Sequence, residues 1–381
     1  MENYNSNKIM KRLNTIISYD KEEKRNGIMD FDLLEKLYIH ILKSKFHLKE
    51  RRTSIVPIKR EKMISIALDF FKSIDEDFYQ KAKNVILNVD EHVNIEIINI
   101  NNSDKTKKEG YVKTINGKSE VYIPTQIEVL KKVALKDEIC TLGDLITLVH
   151  ELAHLLDLNY KDSLPTNEEI LRNDLKVIEY KHTFTRELFG ESTAIAFETL
   201  LMEYLMKETD YSNLVIIQEY IKRANELYDM TASLYFRLQL VKIKEEKNLI
   251  TYDDLLNIAK SNGVSSDYFN FILRKTINDK ASLTLRNRYV FAGAMSSTII
   301  KKYHENGVGT LKDYLTAVRE DKEDDVVNIL GIDMDEDGIQ QILENDMREK
   351  IYMLDLTKKS EKPTSGDIKE QSEKISGLEE I

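Results

Sequence analysis

From about Thr141 to about Leu356 the apolar side chains of this 381-residue chain return at helical spacing. The pattern breaks only near Leu164-Pro165-Thr166, Asn262-Gly263, Gly307-Val308-Gly309 and Gly331. A run of that length with a helical period buries its apolar stripes only by packing helix against helix. The residues that punctuate secondary structure agree, since 4 Pro and 13 Gly are few for a chain of this size. A charged fraction of 32% beside a hydrophobic fraction of 41% is what amphipathic helices around a core require. The expected fold class is mainly α.

Ahead of that run, Leu33, Leu34, Leu37, Tyr38, Ile41 and Leu42, then Ile64, Ala67, Leu68, Phe70 and Phe71, read as two or three helices between Asp30 and about Ala82. The period changes to two at Val93-Asn94-Ile95-Glu96-Ile97-Ile98-Asn99-Ile100, a strand. Gly110 to Ile115 and Lys118 to Pro124 flank Asn116-Gly117, the dipeptide most strongly tied to a tight hairpin. A small antiparallel sheet is therefore expected just before the helix that starts near Thr141. The residues from about Lys358 onward are polar, with Pro363, Gly366 and Gly377, and read as a flexible tail. The division expected is a helical lobe over residues 1–90, a main domain over 91–356 and the tail over 357–381.

Charge and cysteine use narrow the function classes. A formal net charge of -10 speaks against a nucleic-acid binder that works by releasing counter-ions. The clusters Lys59-Arg60-Glu61-Lys62 and Lys105 to Lys108 read as solvated faces. One cysteine, Cys140, excludes an internal disulfide and a cysteine-rich zinc module, so a metal site has to be built from His and carboxylates. Cys140 itself reads as a small core residue. No stretch approaches the roughly 20 apolar residues of a membrane span, and Met1 to Leu13 lacks an apolar signal core. The expected location is cytoplasmic, with no membrane partner.

Chemistry concentrates in Leu145-Ile146-Thr147-Leu148-Val149-His150-Glu151-Leu152-Ala153-His154-Leu155-Leu156, which holds His-Glu-x-x-His on an apolar helix. One helical turn separates His150 from His154, so both imidazoles leave the same face and can take neighbouring corners of a tetrahedral zinc site. Glu151 sits beside the first ligand, where a carboxylate can take a proton from water at the metal and pass it to a leaving amine.

A hydrolytic zinc keeps three protein ligands, and the third is expected on another helix. In Phe189-Gly190-Glu191-Ser192-Thr193-Ala194-Ile195-Ala196-Phe197-Glu198, the acids Glu187, Glu191 and Glu198 share a stripe with residues that read as buried. A buried carboxylate needs a partner, and a divalent cation is a strong one. Glu191 is favoured over Glu198 because Gly190, Ser192, Thr193 and Ala194 around it allow two helices to approach closely. His182 is a further alternative. Glu198 and Asp157 are the acids expected to hold a ligand imidazole by its other nitrogen.

These segments resemble the thimet oligopeptidase and oligoendopeptidase F family, zinc peptidases of the M3 group and gluzincin type. Val149-His150-Glu151-Leu152-Ala153-His154 is similar to the family's His-Glu-Leu/Phe-Gly-His, with Ala153 in place of Gly. The segment Gly190 to Glu198 is similar to its Glu-x-x-Ser-x-x-x-Glu helix, with Ala194 in place of Ser, and this implies Glu191 as third ligand. Tyr289-Val290-Phe291-Ala292-Gly293-Ala294-Met295-Ser296-Ser297, Gly309-Thr310-Leu311-Lys312-Asp313-Tyr314-Leu315 and Leu330-Gly331-Ile332-Asp333-Met334 look like its C-terminal helices. The likeness runs from roughly Gly110 to Leu356. Asn159 to His182 behaves as an insertion, and in Arg286-Asn287-Arg288-Tyr289 only Tyr289 matches the family's oxyanion-stabilising groups.

The resemblance implies a zincin-like helical metallopeptidase domain with a small antiparallel sheet beside the active-site helix, whose edge strand would pair with an extended peptide. It implies one zinc per chain, held by His150, His154 and Glu191, with Glu151 and Tyr289 catalytic. The expected activity is hydrolysis of peptide bonds in peptides or unfolded protein segments through a zinc-activated water. Two other readings stand beside it: a zinc-binding protein that captures peptides with little or no turnover, and a helical interaction protein in which the motif is a coincidence.

Overall fold

The computed structural model describes residues 6–25, 31–43, 57–86, 93–99, 111–115, 118–125, 139–154, 156, 185–247, 249–261, 265–278, 283–320, 322–333 and 335–360. The elements begin with α1 (Ser6–Arg25), α2 (Phe31–Lys43), β1 (Pro57–Lys59), α3 (Arg60–Ile74), α4 (Glu76–Ile86), β2 (Val93–Asn99), β3 (Tyr111–Ile115), β4 (Lys118–Thr125), β5 (Ile139–Thr141) and α5 (Leu142–His154). They continue with α6 (Thr185–Glu208), α7 (Asn213–Glu246), α8 (Tyr252–Ser261), α9 (Ser266–Asn278), α10 (Leu283–Asn306), α11 (Val308–Arg319), α12 (Glu323–Leu330) and α13 (Glu336–Ser360). The fold is mainly helical, as the apolar period requires. The expected breaks at Gly307 and Gly331 are helix ends with φ of 77° and 63°, a region that glycine enters without a Cβ clash. The breaks at Pro165 and Gly263 lie outside the described residues, as does the tail from 361 onward.

The strands form two small sheets. β1 and β5 pair antiparallel, with Ile58 opposite Cys140, and Cys140 is buried. The second sheet has the order β2-β4-β3. β3 and β4 are the expected antiparallel hairpin, with Val112 opposite Val121, and its Asn116-Gly117 turn is outside the described residues. The expectation of a purely antiparallel sheet needs correction at β2, which runs parallel to β4 with Ile95 opposite Val121. Alternation reveals a strand but not its partner or direction. Because β3 intervenes between β2 and β4, the chain has the length needed to return in the same sense. β3 and β4 both pack against α5.

The residues gather into two units. The first contains Met1–Lys49, Lys222–Phe291 and Met334–Leu343. Leu13 and Ile17 of α1 pack there with Phe236, Leu240 and Val241 of α7, Leu255 of α8 and Phe269 of α9. The second contains Glu50–Ile221, Ala292–Asp333 and Glu344–Ile381. Its core holds Phe70, Phe71 and Phe78 around Phe197 of α6, with Phe70 and Phe78 tilted edge-on to Phe197 at 6.2 and 6.0 Å between centroids. α5 packs directly on α6 within this unit, and His150 and His154 of α5 lie near Glu191 of α6.

Candidate metal centre

α5 starts on a reciprocal cap. The Thr141 N–H and hydroxyl donate to Asp144 Oδ2 at 2.7 and 2.9 Å, and the Asp144 N–H donates to Thr141 Oγ1 at 3.2 Å. The cap satisfies donors that a helix start leaves open and so fixes the helix whose last turn carries His150, Glu151 and His154. Leu145, Ile146, Val149, Leu152 and Ala153 of the same helix are buried. Ser192, Ala194 and Ala196 on α6 are small and buried, which lets the two helix axes come close.

The imidazoles of His150 and His154 stand 4.8 Å apart between centroids and nearly perpendicular, at 83°. Their Nε2 atoms are 3.1 Å apart. Glu191 Oε2 lies 3.8 Å from His150 Nε2 and 4.0 Å from His154 Nε2. A triangle with these sides has a circumradius of about 2.1 Å, the length of a zinc–nitrogen or zinc–carboxylate bond. Two imidazole nitrogens that face each other this closely need a proton or a cation between them, since lone pairs alone repel. The donor set therefore fits a divalent cation of borderline softness.

Glu198 completes the arrangement from behind. Its Oε1 lies 2.7 Å from His150 Nδ1, so the ring donates Nδ1–H to the carboxylate and turns its Nε2 lone pair toward His154 and Glu191. Burial pushes His150 toward the neutral form, but its bond to Glu198 and the charges of Glu198, Glu191 and Glu151 outweigh this and raise it to about 9. Glu151 is 5% exposed. Burial raises its carboxyl to about 7; the neighbouring acids Glu191 and Glu198 add to the rise and His150 opposes it. A dication among these groups would lower both values.

The structure thus brings His150, His154, Glu191, Glu151 and Glu198 together, with Glu191 on the Nε2 side of His150 and Glu198 on the Nδ1 side. Of Glu187 only the backbone is described, and Asp157 and His182 lie outside the described residues. Tyr289 stands on α10 in the first unit, with the Arg288 guanidinium 5.7 Å above its ring. Tyr314, which the sequence offered only as part of the segment similar to the family's C-terminal helices, donates its hydroxyl to the Phe189 carbonyl at 2.9 Å. Periodicity shows it only as a core position of α11.

The sequence matches no family profile and no curated protein. Two solved structures are similar to it. One, titled "Crystal structure of putative peptidase from Chlamydophila abortus", aligns with a TM-score of 0.54 at 11% identity, over 91% of this chain and 55% of that one. The other, titled "Crystal structure of a putative oligoendopeptidase F from Bacillus anthracis str. Ames", gives a TM-score of 0.45 at 10% identity over the same shares, too weak to carry an argument. The chain spans about half the length of each. What the first likeness establishes is a shared, mainly helical fold.

Proposed function

We propose that this chain is a zinc-dependent metallopeptidase that hydrolyses peptide bonds in peptides or flexible protein segments. The observation that supports it most directly is the convergence of one donor atom each from His150, His154 and Glu191 to within 4.8 Å of one another, next to the buried carboxyl of Glu151. Zinc held by that trio would polarise a peptide carbonyl and make water a better nucleophile at neutral pH.

Glu151 is the general base in this reading. Its carboxylate takes a proton as the water oxygen bonds to the carbonyl carbon, and gives that proton to the amine nitrogen as the C–N bond breaks. Such a shuttle works best when the group titrates near the working pH. Glu198, bonded to His150 Nδ1, would keep the Nε2 lone pair turned toward a bound metal. By the family resemblance, the Tyr289 hydroxyl would donate to the developing oxyanion, a role that stands on the sequence. The edge of the β2-β4-β3 sheet offers main-chain groups to an extended peptide. The catalytic domain in this proposal covers residues 91–356.

Metal analysis of purified protein and digestion of a mixed peptide library test the proposal together. One zinc per chain is expected, with cleavage lost to a chelator and restored by added zinc. Glu191→Ala should lose metal and activity in parallel. Stoichiometric zinc with no cleavage would favour the peptide-capture alternative, and zinc uptake that ignores Glu191→Ala would remove this metal site.

A further inference from the structure

Glu191 lies between Phe189 and Thr193 on the first turns of α6, and those turns carry a distinctive bond pattern. The Phe189 carbonyl accepts the Thr193 hydroxyl at 2.8 Å and the Tyr314 hydroxyl at 2.9 Å, and the two hydroxyl oxygens are 3.5 Å apart. In an uninterrupted helix that carbonyl serves the Thr193 N–H. A carbonyl has two lone pairs, so two side-chain donors compete with the helical bond and draw the oxygen outward, a recognised cause of local helix bending.

Tyr314 comes from α11, a helix that is itself firmly held. Leu311, Leu315 and Val318 are buried, and Lys312 Nζ pairs with Asp75 Oδ1 at 2.8 Å. The chain turns into α11 through Gly307 at φ 77°, a conformation in which any side chain would be strained. Tyr314 is 1% exposed, so its ring packs as a phenylalanine would. The hydroxyl adds a polar atom that burial penalises unless it is bonded, and its bond lands two residues before Glu191.

We propose that Tyr314 is a positioning residue for the metal site: with Thr193 it sets the path of the α6 turn that holds Glu191 Oε2 against the two Nε2 atoms. This rests on the zinc reading above. The side chain touches neither metal nor substrate in this role. It acts through the backbone that carries Glu191.

Zinc affinity measured by competition with a chelating dye, the absorption spectrum of the cobalt(II)-loaded protein, and the melting temperature of the metal-free protein together test the idea. Tyr314→Phe should weaken zinc binding by roughly 10–100-fold, the usual cost of losing support behind a ligand, and should alter the cobalt spectrum. Thr193→Val should act in the same direction with the phenol still in place, and Thr193→Ser, which keeps a hydroxyl, should restore affinity to within about twofold of the unaltered chain. If Tyr314→Phe does not fold, the Thr193 pair decides. A merely structural role would lower the melting temperature and leave zinc affinity and the cobalt spectrum unchanged, and that result overturns the proposal while the zinc reading survives. Failure of the unaltered protein to bind zinc overturns both.

Discussion

In the first unit the Arg237 guanidinium meets the Asp20 carboxylate, with the two side chains 1% and 2% exposed. Arg237 Nε donates to Asp20 Oδ2 at 2.9 Å and Nη2 donates to Oδ1, so one positive and one negative charge close on each other through two bonds. In the second unit Glu151, Glu191 and Glu198 gather round the imidazoles of His150 and His154. That group carries more acid than its two imidazoles can balance even when protonated. The closed pair answers its own desolvation and serves packing. The open cluster would be favoured by a bound cation, and this marks it as a candidate metal centre beside a structural ion pair.

The largest expected effect breaks the comparison on the open side. Glu151→Gln should lower peptide cleavage by about 10²–10⁴-fold while zinc content stays at one per chain. Measuring both on one preparation decides it, and near-normal turnover would take Glu151 out of the chemistry. Next is the closed side, where Arg237→Ala takes the guanidinium from the buried Asp20 carboxylate and should cost about 3–5 kcal/mol by denaturant unfolding. Replacing both partners together, Asp20→Leu with Arg237→Met, should recover most of that loss. A double variant no more stable than the single one would mean that the pair does more than neutralise itself.

A smaller effect is expected at Glu198. Glu198→Ala should weaken zinc binding by roughly 10–100-fold through loss of its bond to His150, whereas Glu191→Ala should abolish stoichiometric binding. The reverse order of zinc affinities would exchange the roles of the two acids.

The mildest predictions concern pH, and here the units carry opposite signs. In the first unit Asp254 is held down to about 2, mainly by its bond with Lys247 and then by the Thr251 N–H and hydroxyl. Its stabilising contribution is present above the ordinary carboxyl value and is lost as pH falls toward 2. In the second unit Glu349 is pushed up to about 7 by burial and then by the charge of Asp346, against the Tyr220 and Ser297 hydroxyls and Lys350. The folded chain keeps a proton there that the unfolded chain gives up above 4.5, so this contribution is lost as pH rises through 7. Glu349→Gln should flatten the decline in melting temperature between roughly pH 5 and 8, and Asp254→Asn the decline at roughly pH 2 to 4. A wild-type curve that rises from pH 5 to 8 and is unchanged by Glu349→Gln would contradict the first assignment.

Features fixed within a few residues were legible without coordinates. Helical period located α5 to α13 in outline, and the spacing of His150 and His154 placed two ring nitrogens on one face. The β3–β4 hairpin followed from alternation around Asn-Gly. These properties follow from backbone geometry, which the chain expresses locally.

The third corner of the site was not local. Glu191 and Glu198 share a stripe of α6, and the small residues around Glu191 favoured it as ligand with Glu198 behind an imidazole, but the chain alone does not say which imidazole either acid reaches. That was decided by the packing of α6 on α5, which joins His150 to a residue 48 positions away. The parallel sense of β2, the reach of the Tyr314 hydroxyl to Phe189 across 125 positions, and the grouping of Met1–Lys49 with Lys222–Phe291 were decided in the same way. Apolar periodicity says that a face will be buried. Only close packing, in which each side chain must fill the space its neighbours leave, says against what.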